Sequence, residues 1–496
     1  MTTNFSDLEK DLWTAAEKFL GGQIAVAVYP RKGGNEPDFV AVLRTPDAAA
    51  MKEMRSKILK PILTFAGEST KQGEMLGIKL ISFDGNGFLA LGPDWMAAGN
   101  ARSLMRKTIL QLTNGEDKAL ADDGPIKKMR QRMGGKHLAS LCVNLPAFTK
   151  YYDQPLEAPG KLDNGGASFL FHGIIAMASG SPYFGMTLDA DEKGFSLNSA
   201  IEGNPKALKD KYGWFLSDPD TLGTHDIPKV EGLMGGLTIH RNISKWYGKR
   251  EELLEEQLMA GFDEFESGLG NLLPGRDVGE DIMPAFGSTI TFLAAKQTFE
   301  HFDGAPGVKL PGFALIFDLG KPEGGKIFQL LFQTIVTITN LAGAEEGLNR
   351  EPSVMNAVVH KGVPINTVQF LQDPKGKRLD ISYNFMPCAM TVKGRFVFCT
   401  SLGLCKALVE EMQKPVDKTR GNRNSNLELH PEALAGLVKE NRRTLVAQSI
   451  QQGKTAEEAS GEIELAEKLL RSITLLRLST SVKENGFQVQ LKGNWK

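Results

Sequence analysis

The stretch DEKGFSLNSAIEG (residues 191–203) recurs near the end of the chain as VKENGFQVQLKGN (residues 482–494). In each, charged residues lead to a glycine and then to a run in which apolar and polar side chains alternate, the pattern of a turn entering a half-buried strand. Gly194 and Gly486 stand where such a turn asks for a positive φ. Extended backwards, GMTLDADEKGFSLNSAI (185–201) matches RLSTSVKENGFQVQL (477–491) as a whole hairpin.

The pairing continues outward. PDFVAVLRT (37–45) and PGFALIFDL (311–319) are apolar runs entered through proline, preceded by GGQIAVAV (21–28) and GSTITFLA (287–294). Each reads as a buried strand. A helix follows each, one with Met51, Met54, Ile58 and Leu59 on a face, the other with Ile327, Leu330, Leu331 and Ile335. Next come the hairpins LISFDGNGFLAL (80–91) and CAMTVKGRFVFC (388–399), equal in length. With Gly85-Asn86 and Lys393-Gly394 as two-residue loops, Leu80 faces Leu91 and Cys388 faces Cys399. Helices are expected from Asp94 and Ser401, and strand-into-helix elements at LASLCVNLPAF (138–148) and NLELHPEAL (426–434), before the closing hairpins.

Six elements in one order imply an α+β protein of two tandem copies, each a mainly antiparallel sheet covered by helices. The expected units are 1–206 and 233–496, with a linker at 207–232 rich in Asp, Pro and Gly. A chain of 496 residues exceeds one ordinary core. The second copy opens with a strand, 237–240, running into a long amphipathic helix, whereas the first opens with a helix at 7–20. Equivalent copies would place roughly 40–60 residues ahead of Met1, enough for a strand, a helix and a signal peptide. The expectation is an N-terminally truncated exported protein, the alternative a cytoplasmic one whose first copy lost that element.

Composition narrows the function classes. Lys and Arg total 58 against 59 Asp and Glu, a net charge of −1, so no global field draws nucleic acid or an anionic membrane. The most basic stretch, DKTRGNRNSN (417–426), has no aromatic residue for base stacking and reads as a solvated loop. Cys142, Cys388, Cys399 and Cys405 have no CxxC spacing, so neither zinc nor a disulfide scaffold is expected. Cys388 and Cys399 are expected as buried thiols. The apolar segments 167–180 and 327–343 read as buried helices rather than membrane spans.

Chemistry-bearing motifs are sparse. GKPEGGKI (320–327) approaches the phosphate-binding loop but has Ile327 where a hydroxyl should reach Mg²⁺. The seven histidines form no metal-binding spacing. His240 and His430 stand at equivalent strand-to-helix junctions, as candidate caps or ligand-binding residues. Asp277, Glu280 and Asp281 are close enough in sequence for a cation site, or for charges at the start of a helical turn. No nucleophile elbow or catalytic triad spacing occurs, so no catalytic residue, cofactor or metal is assigned.

FLGGQIAVAV (19–28), PDFVAVLRTPDAAAM (37–51), the GFLALGPD hairpin (87–94) and DADEKGFSL (189–197) together resemble a family of large, uncharacterised bacterial cell-envelope proteins, known as a domain of unknown function, over about residues 7–203. The resemblance implies an exported protein, periplasmic or extracellular, and transfers no site residues. Three functions follow as expectations: a non-enzymatic envelope binding or scaffold protein, a carrier of an apolar, lipid-like ligand between sheet and helices, or a hydrolase between the repeats. The partner is an unidentified protein or an apolar small molecule, with no nucleic acid. Methionine-rich helices suit the carrier, and core packing explains them equally.

Overall fold

The structure is a computed structural model that describes residues 23–29, 37–45, 49, 51–52, 70–83, 87–115, 124–133, 137–146, 160–203, 208–217, 223–299, 302–345, 353–370, 376, 378–415, 423–483 and 486–496. Two compact units emerge: 1–128 with 144–155, and 129–143 with 156–496. Helix and strand each account for 39%, in mainly antiparallel sheets covered by helices, the α+β class expected.

In the first unit, β1 (Gln23–Tyr29) and β2 (Asp38–Arg44) pair antiparallel. Strands β3 (Thr70–Met75) and β4 (Ile78–Phe83) turn through Leu76-Gly77, both at positive φ (56° and 77°), the two-residue hairpin loop that matches strand twist. After β5 (Gly87–Leu91) and β6 (Trp95–Gly99) the sheet reads β1-β2-β6-β5-β4-β3. Helix α1 (Arg102–Thr113) seats Met105 and Ile109, both fully buried, on Val40, Leu80, Ala90, Trp95 and Ala97.

The chain continues through α2 (Gly124–Met133), β7 (Ala139–Asn144), α3 (Gly165–Ser179), β8 (Tyr183–Asp191), β9 (Gly194–Glu202), β10 (Leu233–His240), α4 (Ile243–Gly248), α5 (Met259–Leu272), β11 (Phe286–Ala295) and β12 (Gly312–Leu319). Then follow α6 (Gly324–Glu345), β13 (Ser353–His360), β14 (Val363–Phe370), β15 (Cys388–Val392), β16 (Arg395–Cys399), α7 (Leu402–Gln413), β17 (Ser425–Leu429), α8 (Pro431–Glu440), β18 (Ile473–Lys483) and β19 (Gly486–Trp495). One 13-stranded sheet carries them in the order β13-β14-β15-β16-β12-β11-β10-β17-β18-β19-β9-β8-β7.

From β11 outward this order repeats the first sheet strand for strand, and β13 turns into β14 through Lys361-Gly362 at φ 49° and 79°, as β3 turns into β4. The core under this half joins Ile316, Ile365, Met390 and Val397 to Leu408 and Val409 of α7.

Several expectations are corrected. The two quoted hairpins are neighbours: β9 pairs antiparallel with β19, Gly194 opposite Asn494 and Glu202 opposite Gly486. A boundary at residue 206 would cut this sheet, so the division 1–206, 207–232 and 233–496 differs from the compact units. Within the expected linker, Trp214, Phe215 and Ile227 are core. Gly486 does take positive φ (148°), but Gly194 does not. Gly194 is needed because a Cβ there would come within 2.0 Å of the Gly493 carbonyl oxygen.

The hairpin 388–399 corresponds in the sheet to β5–β6, not to residues 80–91, and Leu80 faces Ala90 rather than Leu91. Asp94 starts no helix; a strand follows it and α1 begins at Arg102. Helices α3 and α6 are not buried all round, since Phe171, Leu330 and Leu341 are exposed.

Cys388 does face Cys399, across the two-residue Lys393-Gly394 loop. Both thiols are free and fully buried. Hydrogen bonding to Cys405, then burial, pushes the Cys388 thiol up, so it stays protonated. Strand β11 is flanked by β10, whereas β1 has no strand on that side among the described residues. The first-copy helices at 7–20 and beyond Met51, including Met54, Ile58 and Leu59, lie outside the described residues, as does the Gly85-Asn86 loop. No described helix is long and apolar enough to cross a membrane.

Candidate functional site

Helix α6 is apolar around most of its circumference, more than one packed face requires. Its start is pressed onto neighbouring elements: a Cβ on Gly324 would lie 2.9 Å from the Ala285 carbonyl oxygen, and one on Gly325 2.9 Å from the Thr391 hydroxyl. Towards its end Asn340 clamps β13. Its amide donates to the Ser353 carbonyl, and its oxygen accepts from the Ser353 backbone N–H and hydroxyl at 3.1 and 2.9 Å.

Between these two anchors, helix and sheet line a cavity of about 430 Å³ that is open to solvent on one side. The sheet supplies its floor with Leu315, Phe317, Val368, Phe396 and Phe398, and α6 its roof with Phe328, Leu331, Phe332, Ile335 and Val336. Phe286, Phe370 and Phe385 line the sides. The rings of Phe317, Phe328, Phe286 and Phe396 meet at 4.5–5.5 Å in tilted and edge-on pairs, which hold the walls in place.

Among the described residues, no lining residue is ionisable. The lining hydroxyls are already engaged, Thr339 donating to the Ile335 carbonyl and Ser353 to Asn340. Lined in this way, the described part of the arrangement suits an apolar molecule.

The residues singled out from the sequence lie elsewhere. His240 ends β10, where its N–H meets the Asn424 carbonyl, and the cap of α4 is Asn242, accepting from the Lys245 N–H. His430 precedes α8 without a side-chain cap bond, its N–H on the Met234 carbonyl. The two histidines thus occupy opposite ends of the β10–β17 pair and form no common site. Asp277 caps the helical turn at 278–282 by accepting from the Glu280 N–H, and Asp281 accepts from the Asp277 N–H. No cluster of His, Cys, Asp or Glu among the described residues can hold a metal ion.

Burial first, and the Arg241 charge second, pull the His240 imidazole down to about 4, with Asp318 acting the other way. An unfolded histidine titrates near pH 6.5, so between about pH 6.5 and 4 the unfolded state holds more protons and stability falls as pH drops. A loss of up to about 3 kcal/mol is expected across that window, and His240→Gln should flatten it. Urea midpoints measured at both ends of the window check this; equal pH dependence in the variant would contradict it.

A second cavity, of about 490 Å³, is polar, lined among others by His137, Asp189, Asn198, Ser479, Lys483 and Gln490. His137 Nδ1 lies 3.0 Å from Asp189, while its Nε2 is buried without a hydrogen-bond partner. Among the described residues no hydroxyl is bonded to this His–Asp pair, so the nucleophile contact of a triad is not seen there.

The lining of the apolar cavity escaped sequence reading because its phenylalanines come from segments far apart in the chain, each of which alone reads as core. The all-round apolar character of 327–343 was the available signal. Compared with protein-family models, curated proteins and solved structures, the chain finds no match.

Proposed function

We propose that this protein binds an apolar ligand in the cavity between α6 and the sheet, acting as a carrier or sensor rather than an enzyme. The observation that carries the reading is the lining itself, among the described residues eight phenylalanines and no ionisable group around about 430 Å³. Cavities of this size and polarity suit small apolar ligands, whereas a solid core would have spoken for a scaffold. The repeated strand order and repeated Leu76-Gly77 and Lys361-Gly362 turns support an origin by duplication. A place in the bacterial cell envelope rests on the sequence resemblance alone.

Titration with a fluorescent fatty acid tests the binding. Saturable one-to-one binding with a Kd of about 1 μM or tighter is expected. Val336→Trp, which fills the roof, should weaken it at least about tenfold. Unsaturable uptake, or equal affinity in the filled variant, would overturn the reading.

A further inference from the structure

In the pairing register of the large sheet, Leu188 faces Leu197, which faces Leu491, then Leu478, Leu427 and Leu237, on six successive strands. The row continues through Phe292 and Leu315 to Phe398. One residue along, the neighbouring row is polar: Thr187, Asn198, Gln490, Ser479, Asn426 and Thr238. Successive side chains point to opposite faces, so the six leucines share one face and the six polar residues the other.

An apolar sheet face ordinarily meets a core. Here Leu478 is 37%, Leu315 38% and Phe292 47% exposed, the other five leucines are half-buried, and none of the six belongs to a buried cluster among the described residues. A partly exposed apolar band of this length is the kind of surface that takes an apolar partner. Its end is informative, because Leu315 and Phe398 also line the cavity under α6. Through these two residues the register row runs into the cavity. At about 4.8 Å per strand the band runs roughly 38 Å, far beyond the cavity.

We infer that the ligand is a long linear hydrocarbon chain, such as a fatty-acyl or isoprenoid tail, with one end in the cavity and the rest laid across the sheet along this row. The inference rests on the apolar-ligand reading above and adds the shape of the ligand to it. A compact ligand would need the cavity alone. A chain accounts for leucine at the same register position on six strands while the row beside it on the opposite face is polar.

Displacement of a fluorescent fatty acid by saturated fatty acids of increasing length, from octanoate to docosanoate, tests it on the full chain. The wild-type protein should gain about two- to fourfold in affinity per added methylene through the longest members. In Leu478→Asn the gain should stop at intermediate lengths while the shortest binders are unaffected, and Gln490→Glu on the opposite face should leave the series unchanged. Val336→Trp should weaken every member. The wild-type series decides the matter even if a variant misfolds. Affinity that levels off at short chains, or a Leu478→Asn series identical to wild type, overturns the extended chain and leaves the cavity reading standing. Absence of binding at every length overturns both.

Discussion

Replacing Arg241 by alanine is expected to cost about 3–5 kcal/mol of folding stability, because several charge-assisted hydrogen bonds to carbonyls, each worth roughly 1.5–3 kcal/mol, are lost together. Arg241 is 3% exposed, and its hydrogen bonds among the described residues all go to carbonyls. Its Nε donates to the Phe169 carbonyl at 2.7 Å and Nη2 to that of Leu170 at 2.9 Å, both within α3. Its Nη1 donates to the Phe215 and His240 carbonyls at 3.3 and 2.5 Å, and the guanidinium stacks 3.6 Å from the Phe215 ring. Burial pulls its pKa down to about 9, still charged at neutral pH. Truncation leaves four carbonyls short of a donor and removes the link between α3 and β10. Lysine keeps the charge but not the fork, so Arg241→Lys should lose most of the same stability. Urea unfolding with an unchanged slope and a lower midpoint is the expected readout; a change under about 1 kcal/mol would refute the anchoring role.

Phe317→Ala should cost a similar amount, about 3–5 kcal/mol, the range for truncating a buried phenylalanine. Phe317 is 6% exposed and its ring touches those of Phe286, Phe328 and Phe396 at 4.8, 4.6 and 5.4 Å. The lost area is on the cavity floor, so the variant should also have a wider cavity. Bulky apolar probes should then bind the folded variant at least as well as wild type, although it unfolds at lower urea. A variant as stable as wild type would mean that the phenylalanine cluster does not support the cavity walls.

How far the sequence speaks is visible at particular residues. The recurrence is legible because turn glycines and alternating runs are local signals, and the Cys388–Cys399 register follows from a two-residue loop. The hairpin assignment in the first unit fails one strand along, because Pro93-Asp94 resembles a helix start and Trp95–Gly99 is rich in small residues with low strand propensity. Those small residues are there for packing: a Cβ on Gly99 would lie 2.6 Å from the Phe39 carbonyl oxygen and 3.1 Å from Met105 of α1. The join between β9 and β19 is not legible, since nothing local says which strand lies beside which. The cavity is hidden for the same reason. Its phenylalanines become a site only when α6 is held at Gly324 and Asn340 over strands from five separate stretches.

Organic extraction and mass spectrometry of the purified protein, with Val336→Trp prepared in parallel, tests the central claim most directly. The account predicts a molecule with a hydrocarbon chain in near-stoichiometric amount from the wild type and its loss from the filled variant. Equal recovery from both proteins, or none from the wild type together with no saturable binding of any apolar probe, would contradict it.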